Sequence, residues 1–339
     1  SYIEIIDDEL KGIDTTEKRN QIYQRINLNS IYDEYENLLN ITTKQFYEED
    51  FIKQSYLLPL IPLNIHNFVK KKFIDEGYCS KFYKIYQKRT YNSYIAKVFD
   101  FPYTRINHKQ IFPHQVSLLS QISHPSIVKY IGYSPIDFEN NNNPIIITEF
   151  CPNGTLGRIL EIENEGELID NWNLTTKLIT IYGIALAMSY LHSHNIIHRD
   201  LNVNHVFVDD LFYPKLGGFT FSQLLSDEET DIVGTASYIA PEVFTDRKYT
   251  KSSDVYSFGV FVNEIITGSN IEKQSKKSIP KIFQNLIELC LNKDPNQRPS
   301  FEEIVFKLRT NEEFIIEDID SNLFRSYIEF IDDELNSIN

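Results

Sequence analysis

A chain of 339 residues, 42% of them apolar, with 12 glycines and 13 prolines, has enough material for a large two-lobed domain plus a smaller module, and its composition is neither low-complexity nor disordered. Its 33 basic and 48 acidic residues leave a formal charge of −15, which repels phosphate backbones and anionic bilayers alike, so neither nucleic acid nor a membrane is expected as a partner. The three cysteines, Cys79, Cys151 and Cys290, lie far apart, which argues against a zinc site or a disulfide framework and fits a reducing, cytoplasmic setting.

Residues 1–60 read as a helical module. Ile22, Tyr23, Ile26, Ile31, Tyr32, Tyr35, Leu38 and Leu39 recur at three- and four-residue spacing between acidic and amide residues, the pattern of an amphipathic helix. Thr42 and Thr43 are candidate N-caps for a further helix carrying Phe46, Phe51 and Ile52. Such a module is either a brace packed on the next domain or an independent partner-binding unit. The opening run Ser1–Leu10 returns as Ser326–Leu335, with only Ile5 and Phe330 differing. Similarity at a fixed separation is the mark of an array, and the expectation is that residues 326–339 begin the next unit of a tandem protein. Ser1 in place of Met suggests a piece of a longer chain. No apolar run is expected to reach the roughly 18 residues that span a bilayer, and no signal segment opens the chain.

From Asn67 the period changes. Alternating β-branched and aromatic runs at Phe68–Ile74, Lys81–Tyr86 and Ser93–Phe99 predict an antiparallel sheet. A helix is predicted over about 108–121, then strands at Ile127–Gly132 and Pro144–Thr148. Long helices are predicted over Trp172–His194, Ser252–Thr267, Ile279–Leu291 and Phe301–Leu308. A small sheet-rich lobe before a larger helical lobe is an α+β arrangement with a cleft between them, where ligand sites tend to lie.

The run Ile197-His198-Arg199-Asp200-Leu201-Asn202-Val203-Asn204-His205 resembles the catalytic loop of eukaryotic protein kinases, His-Arg-Asp-Leu-x-x-x-Asn. Ile95-Ala96-Lys97, His124-Pro125, Ile147–Gly154, Gly234–Glu242, Asp254–Gly259 and Asp294–Phe301 follow the same family's motifs in the family's order. The resemblance covers residues 67–309 and leaves 310–339 as a helical tail. Gly234-Thr235, Ala240-Pro241-Glu242 and Pro299-Ser300-Phe301 look like the serine/threonine, tyrosine-kinase-like branch. The resemblance implies a bilobal protein-kinase fold with Lys97 and Asp200 as catalytic positions, and Gly77, Lys97, Glu149 and Cys151 around a nucleotide. It also implies that Glu242 pairs with Arg298, that Asp254 holds the catalytic loop, and that Leu119, His198 and Phe219 stack in a spine joining the lobes.

Chemistry is where the chain departs from the family. Phosphoryl transfer needs metal ions at the β- and γ-phosphates, supplied by an Asp-Phe-Gly aspartate and the catalytic-loop Asn. Those positions are Gly218 and His205: a glycine has no ligand atom, and imidazole suits magnesium poorly. The helix glutamate that should hold Lys97 falls on Gln115, the catalytic-loop Lys is Asn202, and only Gly77 survives of three loop glycines. Phe82, Ile95 and Phe207 stand where smaller residues sandwich adenine, so the pocket is expected to be narrowed. Ten residues, Ser269 to Ser278, are too few for the family's helix G. The acidic run Ser226–Asp231 could stand in for a phosphorylated residue and pair with Arg199, or be a solvated charge run. The reading is a pseudokinase without ATP or magnesium, acting on other proteins, among them an active kinase, as a scaffold or allosteric partner. Asp200 then serves as an anchor to Thr235, and His205→Asn alone restores nothing. The alternative is a weak or unconventional ATP- and magnesium-dependent serine/threonine kinase built on Lys97 and Asp200, and metal-independent nucleotide binding without turnover lies between the two.

Overall fold

A computed structural model describes residues 62–77, 80–100, 108–225, 231–268 and 279–338. The chain divides into units of residues 1–60 and 61–339. The predicted helical module, the first copy of the repeat, Cys79, most of the acidic run and the stretch expected to lack helix G lie outside the described residues.

The small lobe starts from alternation. β1 (Phe68–Gly77), β2 (Ser80–Gln87) and β3 (Ser93–Phe99) are joined by short connections, and β4 (Tyr130–Ser134) and β5 (Ile145–Glu149) complete an antiparallel sheet of order β1-β2-β3-β5-β4. Every second residue faces inward, so Ile85, Ala96, Val98, Ile145 and Ile147 are buried together with Ile65 and Phe68. Helix α1 (His108–Leu119) lies between β3 and β4 in the chain. β4 begins three residues later than the pattern predicts. Ile127 and Val128 pair instead with the large lobe, where Val128 N–H donates to the Leu216 carbonyl at 2.9 Å.

The large lobe is built on α3 (Leu174–Ser193), whose residues Leu178, Ile179, Ile181, Tyr182, Ile184, Ala185, Met188 and Leu191 are buried. Asn173 caps it reciprocally with Thr176, satisfying N–H groups that a helix start leaves open. By length and composition α3 is apolar enough to cross a membrane. That corrects the expectation that no such run exists: the helix is apolar on every side because large-lobe elements cover it on every side. α2 (Leu156–Asn164), capped by Thr155, went unpredicted. It is tied to α3 by Glu163, which accepts from the buried Lys177 Nζ at 2.8 and 2.9 Å. Short strands β6 (Ile196–Ile197), β7 (Val206–Val208), β8 (Pro214–Leu216) and β9 (Gln223–Leu224) frame the catalytic loop. They are followed by α4 (Pro241–Asp246), α5 (Lys251–Thr267), α6 (Lys281–Cys290) and α7 (Phe301–Thr310).

The tail folds back. α8 (Ser321–Ile338) packs on α3, with Phe324, Tyr327 and Ile331 buried. Residues 326–335, the second copy of the repeat, thus lie on α3 through this apolar stripe.

Candidate functional site

Asp254, at the start of α5, organises the loop. Its carboxylate accepts from the backbone N–H groups of His198 (2.8 Å) and Arg199 (2.9 Å) and lies 2.9 Å from His192 Nε2. Burial alone would raise its pKa, but His192, His198 and those donors outweigh it and hold the group below the ordinary carboxylate value. His198 is fully buried, and that burial lowers its pKa from the ordinary imidazole value. Its Nε2 donates to the Gly217 carbonyl at 2.8 Å, and its ring meets Phe219 edge-on at 5.2 Å. Two of the three residues assigned to the spine are thus in contact, and the third, Leu119, is buried. Glu242 clasps Arg298 at 2.6 and 2.8 Å.

Asp200 is heavily engaged. Its Oδ1 accepts from Thr235 N–H (2.9 Å), Thr235 Oγ1 (2.9 Å) and Asn202 Nδ2 (2.9 Å), while Oδ2 lies 3.4 Å from His205 Nδ1. A general base needs a free lone pair within hydrogen-bond reach of a substrate hydroxyl. Three donors on one oxygen and an imidazole beside the other leave little room for one. Asn202 proves to be a bridge as well as a lost lysine: its amide also reaches Thr235 Oγ1 (3.1 Å), the Asp200 carbonyl (3.1 Å) and His205 Nδ1 (3.0 Å).

Across the cleft, Lys97 on β3 donates to Gln115 Oε1 on α1 at 2.9 Å and to Thr220 Oγ1 at 3.0 Å. The lysine is thus held in the family's manner by neutral acceptors. The Thr220 contact went unread in the sequence, where only the glutamate-to-glutamine change carried a signal.

The metal positions share one volume. Gly218 has a φ of +79°, and a Cβ placed on it would lie 2.3 Å from His205 Cγ, 2.6 Å from Nδ1 and 2.7 Å from Cβ. The His205 side chain therefore fills the space that an aspartate at 218 would need. Magnesium does not fit this donor set, and the described residues contain no group of three or more metal-ligating side chains.

On the side where the resemblance places a nucleotide, a Cβ on Gly77 would meet Phe82 Cε2 at 3.0 Å, and the Phe82 ring centroid lies 5.8 Å from Lys97 Nζ. Phe207 packs on the backbone ahead of Gly218, its Cε2 2.7 Å from where a Gly217 Cβ would be. Ile95 is half-buried in β3, opposite Lys84 and Thr148. Glu149 accepts from Lys129 N–H at 2.7 Å, and the buried Cys151 thiol is pushed up to about 12 by burial and by Glu149.

Arg199 reaches the activation segment from the catalytic loop. Its guanidinium donates to Gln223 Oε1 (2.7 Å) and the Asp231 backbone carbonyl (2.8 Å), and lies 4.4 Å over the Tyr249 ring. Asp231 offers its main-chain oxygen, and its charge also favours the charged guanidinium; the rest of the acidic run lies outside the described residues.

Residues 68–307 match the protein kinase domain family. The chain is similar to a protein named a probable serine/threonine-protein kinase in Dictyostelium discoideum, 36% identical over 221 residues, which are 60% of this chain and 21% of that one. It is similar to a probable serine/threonine-protein kinase of Arabidopsis thaliana, 30% identical over 238 residues (68% of this chain, 61% of the other). Serine/threonine-protein kinase 12 of the same plant is 30% identical over 274 residues, 72% of this chain and 56% of its own length. The chain accordingly spans between about a fifth and three fifths of these relatives. With its sheet-rich and helical lobes, its Asp254-anchored loop and this match, the chain belongs to the protein kinase family.

Proposed function

We propose that this kinase domain is a catalytically inactive pseudokinase of the cytoplasm, acting by protein interaction: a scaffold, or an allosteric partner of an active kinase. The observation that carries this reading is the His205 side chain lying where a residue at Gly218 would place its own. Both metal positions are thereby lost together, and no single reversion restores the pair. The remaining parts serve shape. Asp200 ties the catalytic loop to Thr235, and Lys97 ties the sheet to α1.

A second reading has one observation in its favour. Lys97 and Asp200 keep their family positions, and Lys97 is oriented by Gln115 at 2.9 Å, as an unconventional ATP-dependent serine/threonine kinase would require. The two readings separate in a phosphate-transfer assay on the full chain with labelled ATP and magnesium or manganese, run beside Asp200→Asn. The pseudokinase gives the same background in both, and no rise in melting temperature with ATP. Transfer that disappears in Asp200→Asn refutes it.

A further inference from the structure

The small lobe is basic in an acidic chain. Residues 67–98 hold eight lysines and arginines against two acidic residues, while the whole chain carries −15. Lys70 pairs with Glu139 at 3.1 Å and Lys81 with Asp100 at 3.3 Å. Lys72 and Lys84 have no acidic partner among the described residues, and they stand directly opposite each other on β1 and β2. Like charges facing each other across a ladder are destabilising. Lysines on an edge strand discourage unwanted strand pairing, which covers Lys72 on β1. β2 lies inside the sheet, between β1 and β3, so that rule does not cover Lys84.

Register partners share a face of the sheet, and one row runs Lys72, Lys84, Ile95, Thr148. Lys97, two residues along β3 from Ile95, lies on the same face, so the lysine pair is on the cleft side, outward of Ile95. Rings interleave with these charges. Lys84 Nζ lies 3.8 Å from the centroid of the Phe150 ring, and Lys71 Nζ lies 4.9 Å from that of Tyr86, contacts that hold a cation in place. Tyr86 stacks with Tyr91 at 6.1 Å. Tyr91 is 75% exposed and has a left-handed backbone, φ +58°, which is uncommon for so bulky a residue.

We propose that this strip of β1 and β2 is a docking surface for an extended, carboxylate-rich segment of a partner protein. Alternate side chains of an extended segment fall on one side, about 7 Å apart. Successive carboxylates on that side are taken by Lys72 and Lys84, and the repulsion between the two lysines becomes attraction for the segment. A long polyanion such as nucleic acid has to approach a chain of net charge −15, whereas a short acidic segment meets the basic lobe alone. The proposal goes beyond the pseudokinase reading and does not depend on whether the domain transfers phosphate.

The test uses the full chain, without ATP, and a fluorescein-labelled dodecapeptide of alternating Glu and Thr followed by anisotropy, with a Gln and Thr dodecapeptide as control. The Glu peptide is expected to bind and the Gln peptide not to. Lys72→Glu is expected to weaken binding at least about tenfold, with a melting temperature at or above the parent's, because a repulsive cross-strand pair is replaced by an attractive one. Lys293→Glu, exposed on the large lobe, changes the net charge equally and should leave the affinity within about twofold. Unchanged affinity in Lys72→Glu, an equal loss in Lys293→Glu, or equal binding of the Gln peptide overturns the proposal. A drop of more than about 3 °C in Lys72→Glu shows that the lysine serves the fold, and overturns it too. So does tighter binding of a dodecauridylate or of phosphatidylserine vesicles than of the Glu peptide.

Discussion

Replacing Gly218 by alanine should be costly for two separable reasons, and His205 decides one of them. A non-glycine residue held at φ +79° pays for its left-handed backbone, about 1–2 kcal/mol. The new Cβ also lands 2.3–2.7 Å from three atoms of the His205 side chain, an overpacking that typically costs about 1–3 kcal/mol. Gly218→Ala should therefore destabilise by about 2–5 kcal/mol. Removing the obstacle with His205→Gly leaves the backbone term and abolishes the clash, so the double variant should be more stable than the sum of the singles by about 1–3 kcal/mol. Urea unfolding of all four proteins, followed by intrinsic fluorescence, gives the coupling energy directly. The hydrogen bonds lost with the imidazole cancel in the cycle. A cost for Gly218→Ala that is the same in both backgrounds, within about 0.5 kcal/mol, would show that the two metal positions do not share space.

Three other outcomes are expected. Arg298→Met leaves Glu242 without its guanidinium and should cost about 3–5 kcal/mol, much of it recovered in urea titrations by adding Glu242→Gln. Acid should weaken the fold through its buried histidines: His124 is lowered to about 4 by burial and by Lys215, and His198 and His114 are lowered as well. Because the unfolded chain takes up these protons near pH 6.5 and the folded one does not, stability is complete above that pH and falls as pH drops towards 4. His124 alone contributes about 2 kcal/mol of the loss at pH 5, so His124→Asn should flatten the curve of melting temperature against pH. Gly183→Ala, whose Cβ would meet the Tyr327 hydroxyl, should loosen α8 by about 1–3 kcal/mol, with part of the loss restored by Tyr327→Phe, and faster hydrogen exchange confined to residues 321–338 is the readout.

The two-lobed fold was legible because kinase motifs fix backbone positions by residue type: Asp254, Glu242, Arg298 and His198 each hold the contact expected of them. The missing metal ligands were legible too, since identity alone disqualifies glycine. What could not be read was compensation. Asn202 and His205 appear in the sequence as two losses, yet in space Asn202 bridges Asp200 to Thr235 and His205 occupies the volume opened at Gly218, relations that span 33 and 13 residues of chain. Thr220 as a partner of Lys97 was hidden for the same reason. The helical tail was legible from its apolar stripe, but its seat on α3 was not, since a stripe shows that something covers it and not what does. α2 was overlooked although Thr155 caps it, since its nine residues are short for a periodicity argument.

The knot of Asp200, Asn202, His205 and Thr235 has one more consequence. In a signalling protein whose loop is held open or shut by a bound small molecule, the concentration of that molecule is a control input. Here the side chains of the chain itself supply the ties, so the loop geometry is set when the domain folds. Loosening any one of these ties, with Asn202→Ala for example, then changes the loop without any ligand being involved.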